Sequence, residues 1–125
     1  MVGCSGALRY MVPGTERATG ADAEVVAVLN PDQSTTKFDI RATHLPPPGR
    51  VAEGADTFVV WERRDNSQPF TRVGSLKYDP NTREGEMREA TVPETAFQLV
   101  VTAESGPFPG SPSNNVVFEQ VVEKS

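Results

Sequence analysis

His44 is the one imidazole in a chain of 125 residues, and it stands directly before Leu45-Pro46-Pro47-Pro48-Gly49. Histidine chemistry needs a serine or cysteine within hydrogen-bond reach and a third group to orient the ring. No Gly-x-Ser-x-Gly turn occurs to present such a nucleophile. His44 therefore reads as a solvent-facing loop residue. The 17 acidic residues are scattered, with no Asp-x-Asp-x-Asp-Gly run to wrap calcium. A carboxylate pair for glycoside chemistry is defined by distance in space, which linear spacing does not reveal. These residue types predict no catalytic activity and no bound cofactor.

Cys4 is the only cysteine, so neither an intrachain disulfide nor a thiolate zinc site can form. Its neighbours, Val2-Gly3-Cys4-Ser5-Gly6, have the small-residue pattern of a bacterial lipidation site. Read behind an export leader, Cys4 is a lipidation candidate that would attach the chain to a membrane. The alternative is a free thiol in a disordered N-terminus. Net charge is −5, and the basic residues form no stripe beyond the pair Arg63–Arg64. A nucleic-acid partner is not expected of such a surface. No apolar run approaches the ~20 residues a membrane-spanning helix needs.

Strands must position whatever the chain presents. The 11 prolines and 10 glycines fall between apolar runs, which is the punctuation of a β protein. Residues 1–20 show no period and read as a flexible N-terminal tether; residues 21–125 read as one sandwich domain. Ala23, Val25, Ala27 and Leu29 alternate along a first strand, and Asn30-Pro31-Asp32-Gln33 suits a type I turn. Phe38, Ile40 and Ala42 oppose Lys37, Asp39 and Arg41, as on a strand with one wet face.

Three prolines lack amide protons, so residues 44–49 cannot continue the ladder. Thr57 to Glu62 is apolar on both faces and reads as a central strand, with Trp61 expected to fill the space between two sheets. Val73 to Asp79 reads as one strand, and Asp79-Pro80-Asn81-Thr82 closes a hairpin. Gly85 to Val92 has Met87 as its main anchor and suits an edge. Phe97, Leu99, Val101 and Ala103 alternate, and Val116 to Val122 completes the set. About seven antiparallel strands with turns every ~8–12 residues predict an all-β, immunoglobulin-like β-sandwich in two sheets.

The longest connections, His44 to Ala55 and Ser105 to Asn115, would then emerge at the same end. Loops longer than closure requires often recognise partners, and prolines reduce the entropy lost on binding. The candidate partner-binding positions are Leu45, Pro46, Pro47, Pro48, Glu104, Pro107, Phe108 and Pro109. Phe108, between two prolines, would be an exposed apolar tip. Glu104 has two readings: an acceptor for loop amides, or a solvated strand-end acid.

His44-Leu45-Pro46-Pro47-Pro48-Gly49, Phe58-Val59-Val60-Trp61, Gly74-Ser75-Leu76 and Val101-Thr102-Ala103-Glu104, with Gly106 and Gly110-Ser111-Pro112, carry a resemblance. In this order they resemble the C-terminal extracytoplasmic domain of bacterial anti-sigma-K factors, over residues 21–118. The chain departs from that pattern at Ser105, where the family has proline, and in the spacing of its glycines. It also lacks the sigma-binding domain and the membrane helix. The resemblance implies an immunoglobulin-like fold outside the cytoplasm. The expectation is a non-catalytic binding or sensing domain that meets a protein partner at the cell envelope, and the resemblance implies a link to sigma-factor regulation. The alternative is a carbohydrate-binding module using Phe58, Phe70, Tyr78 and Phe108 as an aromatic face.

Overall fold

The structure is a computed structural model that describes residues 7–106 and 108–124. The lipidation candidate Cys4 and the loop residue Pro107 lie outside the described residues. Among the described residues, nine strands form two antiparallel sheets packed face to face: β1 (Leu8–Pro13), β2 (Asp22–Asn30), β3 (Thr35–Thr43), β4 (Thr57–Arg63), β5 (Thr71–Ser75), β6 (Lys77–Asp79), β7 (Glu84–Val92), β8 (Phe97–Glu104) and β9 (Val116–Val122). One sheet has the order β1-β2-β3-β7-β6, the other β5-β4-β8-β9. The chain is an all-β sandwich, as its alternation predicted.

Period-two alternation assigns the faces. On β3, Thr36, Phe38, Ile40 and Ala42 are buried while Lys37, Asp39 and Arg41 are in water. On β8, Phe97, Leu99, Val101 and Ala103 turn inward, and Phe58 and Val60 of β4 join them. Phe38 and Phe97 meet across the gap with ring centroids 5.7 Å apart in a tilted pair. The strand pairing has bulges: on β7, two residues oppose Asp39, and Glu89 there has φ 54°. The Asp39 carboxylate accepts the amide of Glu89 at 2.7 Å, satisfying the group that the bulge frees.

Residues 8–20, read from the sequence as tether, are part of the domain. β1 pairs with β2 from Leu8↔Ala27 to Pro13↔Asp22. Its alternation, Leu8, Tyr10 and Val12 against Arg9, Met11 and Pro13, is short and diluted by Pro13 and Gly14, which leaves only a weak strand signal in the sequence. The turn that follows contains a short 3₁₀ segment, Glu16–Ala18, capped by Thr15. Thr15 reaches the other sheet: its amide donates to the carbonyl of Val117 at 2.9 Å, and its hydroxyl to that of Val116. The Tyr10 hydroxyl both donates to the carbonyl of Glu123 and accepts its amide, at 3.1 Å each. The N-terminal segment thus seals one side of the sandwich.

Three further expectations differ from the structure. The strand expected at 73–79 is two: β5 belongs to the four-stranded sheet and β6 to the other, and the chain crosses between them at Leu76. Leu76 is buried, and its amide donates to the carbonyl of Phe58 at 2.9 Å. β7, expected at an edge, lies between β3 and β6, but three-residue β6 covers it only from Glu84 to Glu86. The third departure concerns Trp61. It is 1 % exposed, yet it lies on the outer face of the four-stranded sheet with Val59 and Val100, covered by Phe70 and Val116. Phe58 and Val60 occupy the inner face of β4, so the next odd-numbered residue must point away from the core.

Candidate functional site

The outer face of the four-stranded sheet carries a polar relay that starts at this tryptophan. Trp61 Nε1 donates to Thr102 Oγ1 at 2.9 Å, and Thr102 Oγ1 donates to Glu104 Oε2 at 2.6 Å. Glu104 Oε2 also accepts the backbone amide of Ser113 at 2.8 Å. Thr102 and Glu104 are consecutive outward positions of β8, and both are buried. Of the two readings of Glu104, the structure selects the loop-amide acceptor. Ser113 is held further by its hydroxyl, which donates to the carbonyl of Ala103 at 3.3 Å and accepts the amide of Asn115 at 3.2 Å. The loop between β8 and β9 is thereby pinned at its far limb.

Its near limb is pinned to the segment before β4. The Gly106 amide donates to Asp56 Oδ1 at 2.7 Å, and the Ser105 hydroxyl to the carbonyl of Gly54 at 2.9 Å. Thr57 donates its hydroxyl to the same Asp56 oxygen at 2.8 Å. The Gly106 amide first, and then the Thr57 hydroxyl, hold the Asp56 carboxyl below its usual range. Gly54 and Gly106 have φ of 82° and 91°, a conformation that other residues adopt only with strain. The two connections do meet at one end of the sandwich, as expected, and the contact is made by Gly54–Asp56 with Ser105–Gly106.

Phe108 stands at the tip of this loop, 80 % exposed. Beneath it, the Arg72 guanidinium lies 4.6 Å from the ring centroid. Such a contact orients a ring without burying it. Farther along the same face, the Arg63 guanidinium lies 4.1 Å over Phe70 and bonds the side chains of Gln98 and Asn66 at 2.7 and 3.1 Å. Beside it, Val100, Val116, Gln120 and Val121 line an open groove of about 450 Å³. A second concavity, about 570 Å³, lies across the charged outer face of the other sheet between Arg41, Lys77, Glu84 and Arg88. Its charges are mixed in sign, and it holds no buried polar atom in want of a partner.

The remaining candidate positions separate. Leu45 is completely buried, with its carbonyl accepting the Tyr78 hydroxyl and its amide donating to Arg83, so it plugs the core beside the β6–β7 hairpin. Pro48 is buried as the first residue of a one-turn helix, Pro48–Val51, where its missing amide is no loss. These two cannot meet a partner. Pro46, Pro47 and Pro109 are half-buried, and His44 is exposed. The four aromatics do not form the expected exposed face: Phe58 is buried and packs edge-on to half-buried Tyr78 at 5.2 Å. Asp56, Thr102, Ser113 and Arg72 carried no sequence signal for this site, since each acts on a residue brought near only by folding. Among the described residues, no three histidine, cysteine or acidic side chains gather to hold a metal ion, and no helix is long and apolar enough to cross a membrane. Comparison with family models, with curated proteins and with solved structures finds no match to this chain.

Proposed function

We propose that the domain is a non-catalytic recognition module at the bacterial cell envelope, and that residues 105–115 meet a protein partner through Phe108. The observation that carries this reading is an exposed phenylalanine on a loop pinned at both limbs and supported from below by Arg72. A loop anchored at both limbs loses less entropy on docking than a free one, and buried aromatic anchors dominate interface energies. The resemblance of residues 21–118 to the extracytoplasmic domain of anti-sigma-K factors supports an immunoglobulin-like relationship, a place outside the cytoplasm, and a role in sensing or sigma-factor regulation.

Phe108→Ala is expected to weaken capture of the partner from envelope extract about 30-fold, the effect of losing ~2 kcal/mol at an anchor. Its unfolding midpoint should stay at the wild-type value, because the ring is in water. Equal capture by the two proteins would remove the loop from the interface. We further propose that a lipid on Cys4 attaches the chain to the membrane. Expressed behind an export leader, the protein should incorporate labelled palmitate, and Cys4→Ser should abolish the label. Label that survives the substitution would place the lipid elsewhere, and a wild type without label would remove the anchor.

A further inference from the structure

The end of the sandwich opposite the recognition loop carries two glutamates that the site above does not use. Glu62 is the penultimate residue of β4, on the face that Phe58 and Val60 turn to the core, and it is 4 % exposed. Glu94 lies in the turn between β7 and β8, and the two glutamates line one cleft. Glu62 Oε1 and Glu94 Oε1 are both buried without a hydrogen-bond partner. The Glu94 turn is also tied to the five-stranded sheet, because its carbonyl accepts the hydroxyl of buried Thr36 on β3 at 2.7 Å. One turn thus touches β3 of one sheet and β4 of the other.

We propose that Glu62 keeps its proton and donates it to Glu94, and that this hydrogen bond clasps the two sheets at this end. A protonated carboxyl supplies the donor that the two orphaned oxygens lack, whereas two ionised carboxylates would repel each other in a poorly solvated cleft. The cleft, about 240 Å³, is lined also by Arg63, Arg64, Gln68, Pro69 and Thr71. Of these, Gln68, Pro69 and Thr71 bear no charge, and Arg63 is engaged on the outer face with Gln98, Asn66 and Phe70. Arg64 is the cation that acts on Glu62, and it is exposed. Burial above all, then the hydrogen bond and the charge of Glu94, push the Glu62 carboxyl up to about 8 against the opposing pull of Arg64.

The folded chain keeps a proton that the unfolded chain gives up in the ordinary glutamate range. Stability from the clasp is therefore complete below the ordinary glutamate range, declines from there as pH rises to about 8, and is exhausted above it. This inference is independent of the recognition reading. Carbon-13 NMR of the glutamate carboxyls of the whole chain, titrated from about pH 4 to about pH 10, should show a step near 8. That step should vanish in Glu62→Gln, whose amide also provides the missing donor. From the ordinary glutamate range up to about pH 8, denaturant midpoints should fall more steeply in the wild type than in Glu62→Gln. Should Glu62→Gln not fold, the wild-type titration and Glu94→Gln decide the matter. Carboxyls that all titrate in the ordinary range, or equal slopes in wild type and variant, would overturn the clasp. So would a shift of the same carboxyl signals by millimolar calcium at neutral pH, which would give the pair to a metal ion.

Discussion

Trp61→Ala is expected to lower stability by about 3–5 kcal/mol, the range for deleting a large buried aromatic side chain. The residue is as buried as any in the inner core, although it lies on an outer sheet face. Its removal would leave a cavity between Val59, Val100, Phe70 and Val116 and strand Thr102 Oγ1 without its indole donor. Trp61→Phe separates these effects. It retains most of the volume and loses the donor, so its cost should be about 1 kcal/mol. Chemical denaturation measures both values, and amide exchange at Ser113 reports the second. The exchange should quicken in Trp61→Phe because the relay through Thr102 and Glu104 holds that amide. An alanine variant as stable as the wild type would mean that the outer face is open to water at Trp61.

Gly14→Ala should cost about 2–4 kcal/mol, at and above the usual upper range for overpacking, because the obstacle is backbone. A Cβ at Gly14 would lie 2.1 Å from the carbonyl oxygen of Ala18, 3.0 Å from its carbon and 3.2 Å from Ala21 Cβ. None of these belongs to a flexible side chain that can move aside. The turn it would displace is closed by the Gly14 amide on the Ala21 carbonyl at 2.7 Å and by Ala18 on Thr15 at 2.8 Å. Displacement would also pull Thr15 off Val116 and Val117, unsealing β1 from β9. Gly20→Ala is the control. Its Cβ would meet open space, so only the strain of φ 93° remains, about 1 kcal/mol. Denaturant midpoints that rank Gly14→Ala no lower than Gly20→Ala would show that residues 14–21 do not pack as a seal.

The relation between the two longest connections shows how far residue patterns carry. Their convergence was legible because a sandwich with this strand order has few ways to connect its strands. The identity of the contacting residues was not. Leu45 and Pro48 read as surface because proline breaks a ladder, but the same rigidity lets the segment turn inward and bury an apolar side chain against Gly85 and Tyr78. Asp56 read as an ordinary polar residue, and its role depends on an amide 50 positions away.

Alternation alone determined that this chain forms strands, which residues of β2, β3 and β8 share a face, and where Pro- and Asx-rich turns interrupt them. These are local properties, dictated by a side-chain period of two and by the backbone limits of proline. Tertiary packing decided the rest: that β5 and β6 part at Leu76, that Trp61 is buried outside the main core, and that residues 8–20 close a seam. It also brought Glu62 to Glu94. Each of these depends on which surfaces meet across long stretches of chain, and a pattern confined to neighbouring residues carries no information about that pairing.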